Sequence, residues 1–203
     1  MKFTPGQLAV IGFSALYLVL GAAHFWSDLN IEFVIYVGVI VAMFALVFGT
    51  LHITRFPTYV LALLSFWGLL HILGGAVATP DGVLFAYRIY PVLDNGGDFY
   101  ILKYDQLVHG YLYGVMSLVF IHLLRRTLGA TGPSWLIALI AVMASMGVSA
   151  MNEIMEFLIA VNLERNGVGG YENAMLDLIF NFGGAFGAVL LYWLGSRLFR
   201  KAT

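Results

Sequence analysis

Asp105 and His109 stand four residues apart in one apolar stretch, and Glu153 and Glu156 stand three apart in another. Asn173, Asp177 and Asn181 repeat at four-residue intervals in a third, and Asn152 stands four residues before Glu156. Residues three or four apart share a face of a helix, so each set forms a polar stripe on an apolar rod. Carboxylates grouped with histidine are suited to holding a divalent cation or to moving protons. No Lys or Arg lies inside the apolar stretches beside them. Clustered carboxylates need a cation, shared protons or a basic partner, which favours a bound divalent ion or protons held in common. A mixed His and carboxylate set suits Zn, Mn or Fe, and an all-oxygen subset suits Mg or Ca. No stripe contains His-Glu-x-x-His, the spacing of one zinc class. The competing reading is structural: Asn and His side chains also staple membrane helices together.

The candidate ligands are therefore Asp105, His109, Glu153, Glu156, Asp177 and His71. Glu153 and Glu156 are also the candidates for acid–base catalysis, with Asn152, Asn173 and Asn181 as polar companions. His24, His52 and His122 read as interfacial histidines. His24 with His71 or His109 could supply two axial ligands, but haem is not expected without a second signature.

The surrounding sequence dictates what must position these groups. The chain has 203 residues, of which 61% are hydrophobic and 10% charged, with a mean hydropathy of +0.91. Soluble domains carry roughly 25% charged residues, so lipid must cover this much apolar surface. A net charge of −1 offers no basic surface for nucleic acid. The lack of cysteine excludes disulfides and thiolate metal sites.

A membrane helix needs about 20 mostly apolar residues. Six stretches qualify: Gln7–Phe25, Ile31–Leu51, Tyr59–Val77, Tyr104–Leu124, Trp135–Leu158 and Asn173–Phe199. The expected fold is all-α, a six-helix membrane bundle forming a single domain over 1–203. The first run follows Lys2 and is too long for a typical signal-peptide core, so it is expected to be a retained helix. Between the third and fourth runs, Ala78–Lys103 holds Phe85, Tyr87, Tyr90, Phe99 and Tyr100. It reads as an interfacial loop at headgroup level, with a loop covering a substrate as the sharper alternative. Gly183, Gly184 and Gly187 read as close helix packing.

Lys2, Arg55, Arg125, Arg126, Arg197, Arg200 and Lys201 fall on one side of these spans, and Arg88, Lys103 and Arg165 on the other. That asymmetry predicts both termini in the cytoplasm. Asp28, Glu32, Asp81, Asp94, Asp98, Glu164 and Glu172 all fall in or beside the outer loops. Glu153 and Glu156 come after roughly 27–32 Å of helical rise from the inner side. Asp105, His109, Asp177, His71 and His24 lie near the same outer end.

The order of these motifs resembles the YjdF-like family of uncharacterised bacterial inner-membrane proteins. Tyr104-Asp105-Gln106-Leu107-Val108-His109 is similar to that family's Tyr-Asp-x-x-x-His segment. His71-Ile72-Leu73-Gly74-Gly75 is similar to its His-x-x-Gly segment, and Asn152-Glu153 with Glu156 to its paired-glutamate helix. Asn173, Asp177, Asn181 and Gly184 are similar to its last acidic helix. A looser likeness is to VanZ-like proteins. Some YjdF-like relatives have Tyr at the place of Asn152 and Asp at that of Asn173, so this site is expected to be less acidic than theirs. Their His-Tyr-Thr-Tyr-like stretch is replaced by Ala76-Val77-Ala78-Thr79. The resemblance implies a multi-pass protein of a bacterial or archaeal cytoplasmic membrane, and no reaction.

Three functions are compatible with these residues. The first is a metal or proton site open to the outer face, possessing hydrolytic or transfer chemistry on a lipid or lipid-linked substrate. The second is a non-catalytic subunit or assembly factor with membrane-protein partners. The third is an ion-coupled transporter, which would need polar groups continuing inward beyond Ser145, Ser149, Thr50 and His52.

Overall fold

The computed structural model describes residues 3–80, 82–97, 99–163 and 167–201, with side chains through Gly195. Lys2, Asp81, Asp98, Glu164, Arg165 and Asn166, and the side chains of Arg197, Arg200 and Lys201, lie outside the described residues. Six long helices dominate: α1 (Pro5–Ser27), α2 (Ile31–Gly49), α3 (Thr58–Ala76), α4 (Tyr104–His122), α5 (Ser134–Asn162) and α6 (Tyr171–Lys201). All six are long and apolar enough to cross a membrane. The expectation of a six-helix all-α bundle therefore stands. The second helix ends at Gly49, short of the expected Leu51, and the fifth runs on to Asn162.

Local chemistry sets the helix ends. Thr4 caps α1: its Oγ1 accepts the Gln7 amide at 3.2 Å, and Gln7 Oε1 accepts the Thr4 amide at 2.9 Å, a reciprocal capping box. Arg55 takes a left-handed conformation (φ 50°) after the single turn Leu51–Thr54. Pro57 then starts α3, and a π-helical turn over Leu123–Thr127 ends α4.

The bundle is tightest where α4 meets α6. A Cβ placed on Gly184 would run into the Gly110 carbonyl, and one on Gly114 would lie 3.0 Å from the Gly184 carbonyl oxygen. Small residues let membrane helices approach to backbone contact. Gly183 and Gly187 have nothing within 4 Å of such a Cβ. Of the three glycines expected to pack, only Gly184 makes such a contact.

The expected interfacial loop before α4 contains two short hairpins among its described residues. Strands β1 (Ala78–Thr79) and β2 (Gly82–Val83) pair antiparallel, a 3-10 turn spans Leu84–Ala86, and β3 (Arg88–Gly96) pairs with β4 (Phe99–Lys103). Arg88 braces this second hairpin. Its guanidinium lies 4.9 Å from the Tyr100 ring centre and donates to the Gly97 carbonyl at 3.0 Å. The 3-10 turn lays Phe85 down onto Gly74, and Phe33 of α2 covers Gly75. Side chains at either glycine would displace those rings.

Gln106 joins the hairpin to α4. Its Oε1 accepts the amides of Leu102 (2.7 Å) and Lys103 (2.9 Å), and its Nε2 donates to the Tyr100 carbonyl at 2.8 Å. Gln106 is fully buried. It holds Leu102 at φ 87°, a conformation that costs a non-glycine residue energy and persists only where neighbours impose it. Asp105 immediately precedes Gln106, so its position is fixed by this junction.

Candidate functional site

One end of the bundle gathers the start of α4, the last third of α5 and the first turns of α6. His109 of α4 sits at the centre. Its Nε2 lies 3.5 Å from Asp105 Oδ1 and 3.7 Å from Glu156 Oε1, and its Nδ1 lies 3.8 Å from Glu153 Oε1. Asp105, His109 and Asp177 each offer an atom within 4.8 Å of the others. The α4–α6 glycine contact brings this about, because it draws the first turns of α6 against the first turns of α4.

Hydrogen bonding divides the cluster in two. At the rim, each surrounding amide nitrogen donates a hydrogen bond. Asn152 Nδ2 donates to Glu156 Oε1 at 2.7 Å, Asn173 Nδ2 to Asp177 Oδ2 at 2.6 Å, and Asn181 Nδ2 to Ser149 Oγ at 2.7 Å. The centre is not satisfied. His109 Nδ1, both oxygens of Glu153, Asp177 Oδ1 and Asn181 Oδ1 are buried and have no hydrogen-bond partner among the described residues. Asp177 is fully buried. The His109 separations exceed ordinary hydrogen-bond lengths, yet two ligands bound about 2.0–2.2 Å from one ion sit roughly 3–3.5 Å apart. Buried polar groups normally find partners, so a cluster bonded at its rim and open at its centre has room in its bonding for a cation or for shared protons.

Each expected residue has a place. Asp105, His109 and Asp177 form the closest set, and Glu153 and Glu156 flank the imidazole. Asn152 and Asn173 orient Glu156 and Asp177. Asn181 lies deeper and ties α6 to α5. His71 stands apart, in an aromatic box of Phe85, Tyr36 and Trp67 with ring centres 5.0–5.5 Å away, and its Nε2 has no hydrogen-bond partner among the described residues. His24 is exposed beside Asp28, away from the cluster. His122 and His52 bond to the carbonyls of Thr54 and Gly49 at the opposite end.

A chamber of about 350 Å³ opens beside the cluster. Asp105, His109, Glu156 and His71 line it, together with Glu32, Tyr36, Phe85 and Lys103. Those last four were not among the sequence candidates. Glu32 sits in the first turn of α2 after the Asn30 cap, where the helix dipole alone accounts for an acid. Its four-residue spacing to Tyr36 was the available signal. Glu32 is buried, and its Oε2 accepts the Gly167 amide at 2.8 Å. Lys103 precedes α4 by one residue, and its Nζ donates to Asn173 Oδ1 at 2.8 Å. A basic group thus reaches the chamber from just outside the helix. Net, a hydrogen bond contributes about 0.5–1.5 kcal/mol. Glu32→Ala should therefore speed hydrogen exchange at the Gly167 amide by roughly two- to tenfold; an unchanged rate would show that the bond does not hold this loop.

The family model described as "Predicted membrane protein (DUF2238)" matches residues 7–201. The chain belongs to that family. DUF2238 is in essence the YjdF-like family that the motifs resemble, and the match reaches all six long helices and includes every residue of the cluster. No curated protein and no solved structure matches the chain.

Proposed function

We propose that this DUF2238 protein binds a divalent cation between α4, α5 and α6 and uses it on a lipid or lipid-linked substrate. Asp105, His109 and Asp177 are the nearest ligand set, with Glu153 and Glu156 in reach. The observation that carries this reading is the unbonded centre of an otherwise bonded cluster. One imidazole with several carboxylates fits Zn, Mn or Fe, and the carboxylates alone fit Mg or Ca. A bound cation would polarise a phosphoryl or carbonyl oxygen and acidify a water. Glu153, whose oxygens have no hydrogen-bond partner among the described residues, would accept a proton as general base.

In this reading the chain is one membrane domain with both termini in the cytoplasm of a bacterium or archaeon, and the site faces outward. The positive-charge asymmetry supports that orientation. The VanZ-like likeness rests on the same three stripes. Transport has less support: Ser145 and Ser149, just inward of the cluster, are fully buried and engaged with the Tyr113 carbonyl and Asn181.

Elemental analysis of protein purified without chelator tests the proposal. Stoichiometric divalent metal is expected, with loss of most of it in His109→Ala and Asp177→Asn. Metal-free protein that remains folded and takes up no Zn, Mn, Fe, Mg or Ca on titration would overturn it.

A further inference from the structure

A second cavity, of about 330 Å³, lies deeper in the bundle and shares Tyr36 and His71 with the acidic chamber. Its walls are of a different kind. Ile40 and Met43 of α2, Trp67 of α3, Leu112 of α4, and Val148 and Met155 of α5 make it almost wholly apolar. From Tyr36 to Met43 the helix rises about 10 Å, so the cavity descends from the polar level into the hydrocarbon zone. It also has a side opening. α2 packs along α1 and approaches α3, but has no extended contact with α5. The Glu32–Gly167 hydrogen bond ties α2 to the segment before α6 at the polar end. Below it, Met151 at the cavity margin is 70% exposed. On a membrane-spanning helix, that exposure faces lipid.

We propose that this cavity takes one hydrocarbon chain of a membrane lipid whose headgroup occupies the acidic chamber. The ligand thus comes sideways from the bilayer between α2 and α5. This deepens the reading of the chamber as the functional site and rests on it. Continuity through Tyr36 and His71 joins a polar compartment to an apolar one, the division an amphipathic ligand requires. The cavity's size falls in the range of small-molecule sites. The thioethers of Met43, Met151 and Met155 adapt to chains of differing shape. A water-soluble substrate would have no use for an apolar extension that opens to lipid.

Trp67 reports occupancy directly. It lines the cavity and is 6% exposed, whereas Trp26 and Trp135 are each 68% exposed. A variant retaining Trp67 alone is reconstituted in phosphatidylglycerol–phosphatidylethanolamine vesicles with brominated acyl chains, which quench indole emission on contact. Trp67 should lose most of its emission, and Val148→Phe, which fills the cavity, should restore most of it. Emission from a Trp135-only variant should be quenched equally with and without Val148→Phe, which confirms insertion and folding. Unquenched Trp67, or quenching that Val148→Phe leaves unchanged, would overturn the proposal. Metal titration of the same samples separates the two claims. Quenching in a folded protein that takes up no Zn, Mn, Fe, Mg or Ca sinks the cation and keeps the lipid chain. Stoichiometric metal without cavity quenching does the reverse.

Discussion

Gly184→Ala should destabilise the protein by at least the upper part of the about 1–3 kcal/mol typical of overpacking. It should also lower metal content, although residue 184 is not a proposed ligand. The added methyl would enter the Gly110 carbonyl, and a backbone oxygen inside a helix cannot rotate away as a side chain can. α6 would have to move outward from α4. Asp177 would move with it, and the set formed by Asp105, His109 and Asp177 would widen. Gly183→Ala and Gly187→Ala are the controls, since a methyl at either meets nothing within 4 Å. Alanine is favoured over glycine inside a helix by about 0.8–1.0 kcal/mol, so both should be neutral or slightly stabilising. Thermal unfolding in detergent, with metal analysis on the same samples, compares the three. Equal behaviour of all three would show that the α4–α6 contact does not set the spacing of the site.

That contact also shows what the sequence could and could not reveal. The hydrophobic lengths made six spans legible, because about 20 apolar residues in a row have few other uses. The i, i+4 stripes made Asp105, His109, Glu156 and Asp177 legible as inward-facing groups, because lipid penalises a carboxylate by about 2.5–3.5 kcal/mol at mid-membrane. Pairings between helices were not legible. Gly183, Gly184 and Gly187 look alike in sequence, and only the rotation of α6 selects Gly184.

The acidic chamber was half legible for a similar reason. Glu32 and Lys103 sit at helix starts, where an acid or an interfacial base already has a local explanation. Local sufficiency hid their tertiary roles on Gly167 and Asn173. The aromatic run before α4 did indicate the membrane interface. Its hairpins depend on pairings such as Leu93 with Ile101, and on Gln106 reaching back to the Leu102 amide. Neither follows from periodicity.

Glu153→Met should raise the stability of metal-free protein by about 1–3 kcal/mol while lowering metal affinity. The two outcomes together separate a site from a staple. A hydrogen-bonded carboxyl contributes to holding helices together, and its removal costs stability under all conditions. Neither oxygen of Glu153 has a hydrogen-bond partner among the described residues, although both are buried, and His109 Nδ1 lies 3.8 Å from Oε1, beyond hydrogen-bond length. Leaving such a group unsatisfied costs about 1–3 kcal/mol. Methionine fills a similar volume without that cost, and His109 keeps Asp105 and Glu156 beside it. Added divalent metal reverses the order. A cation that binds only the folded state stabilises it by mass action, by about 2.7 kcal/mol at a hundred times its dissociation constant. Wild-type protein should gain that increment and the variant little of it. Unfolding curves in EDTA and in excess metal should therefore cross, with the variant ahead in the first and behind in the second. A variant less stable than wild type in both would identify Glu153 as a structural staple, leaving Asp105, His109 and Asp177 to account for any metal the protein holds.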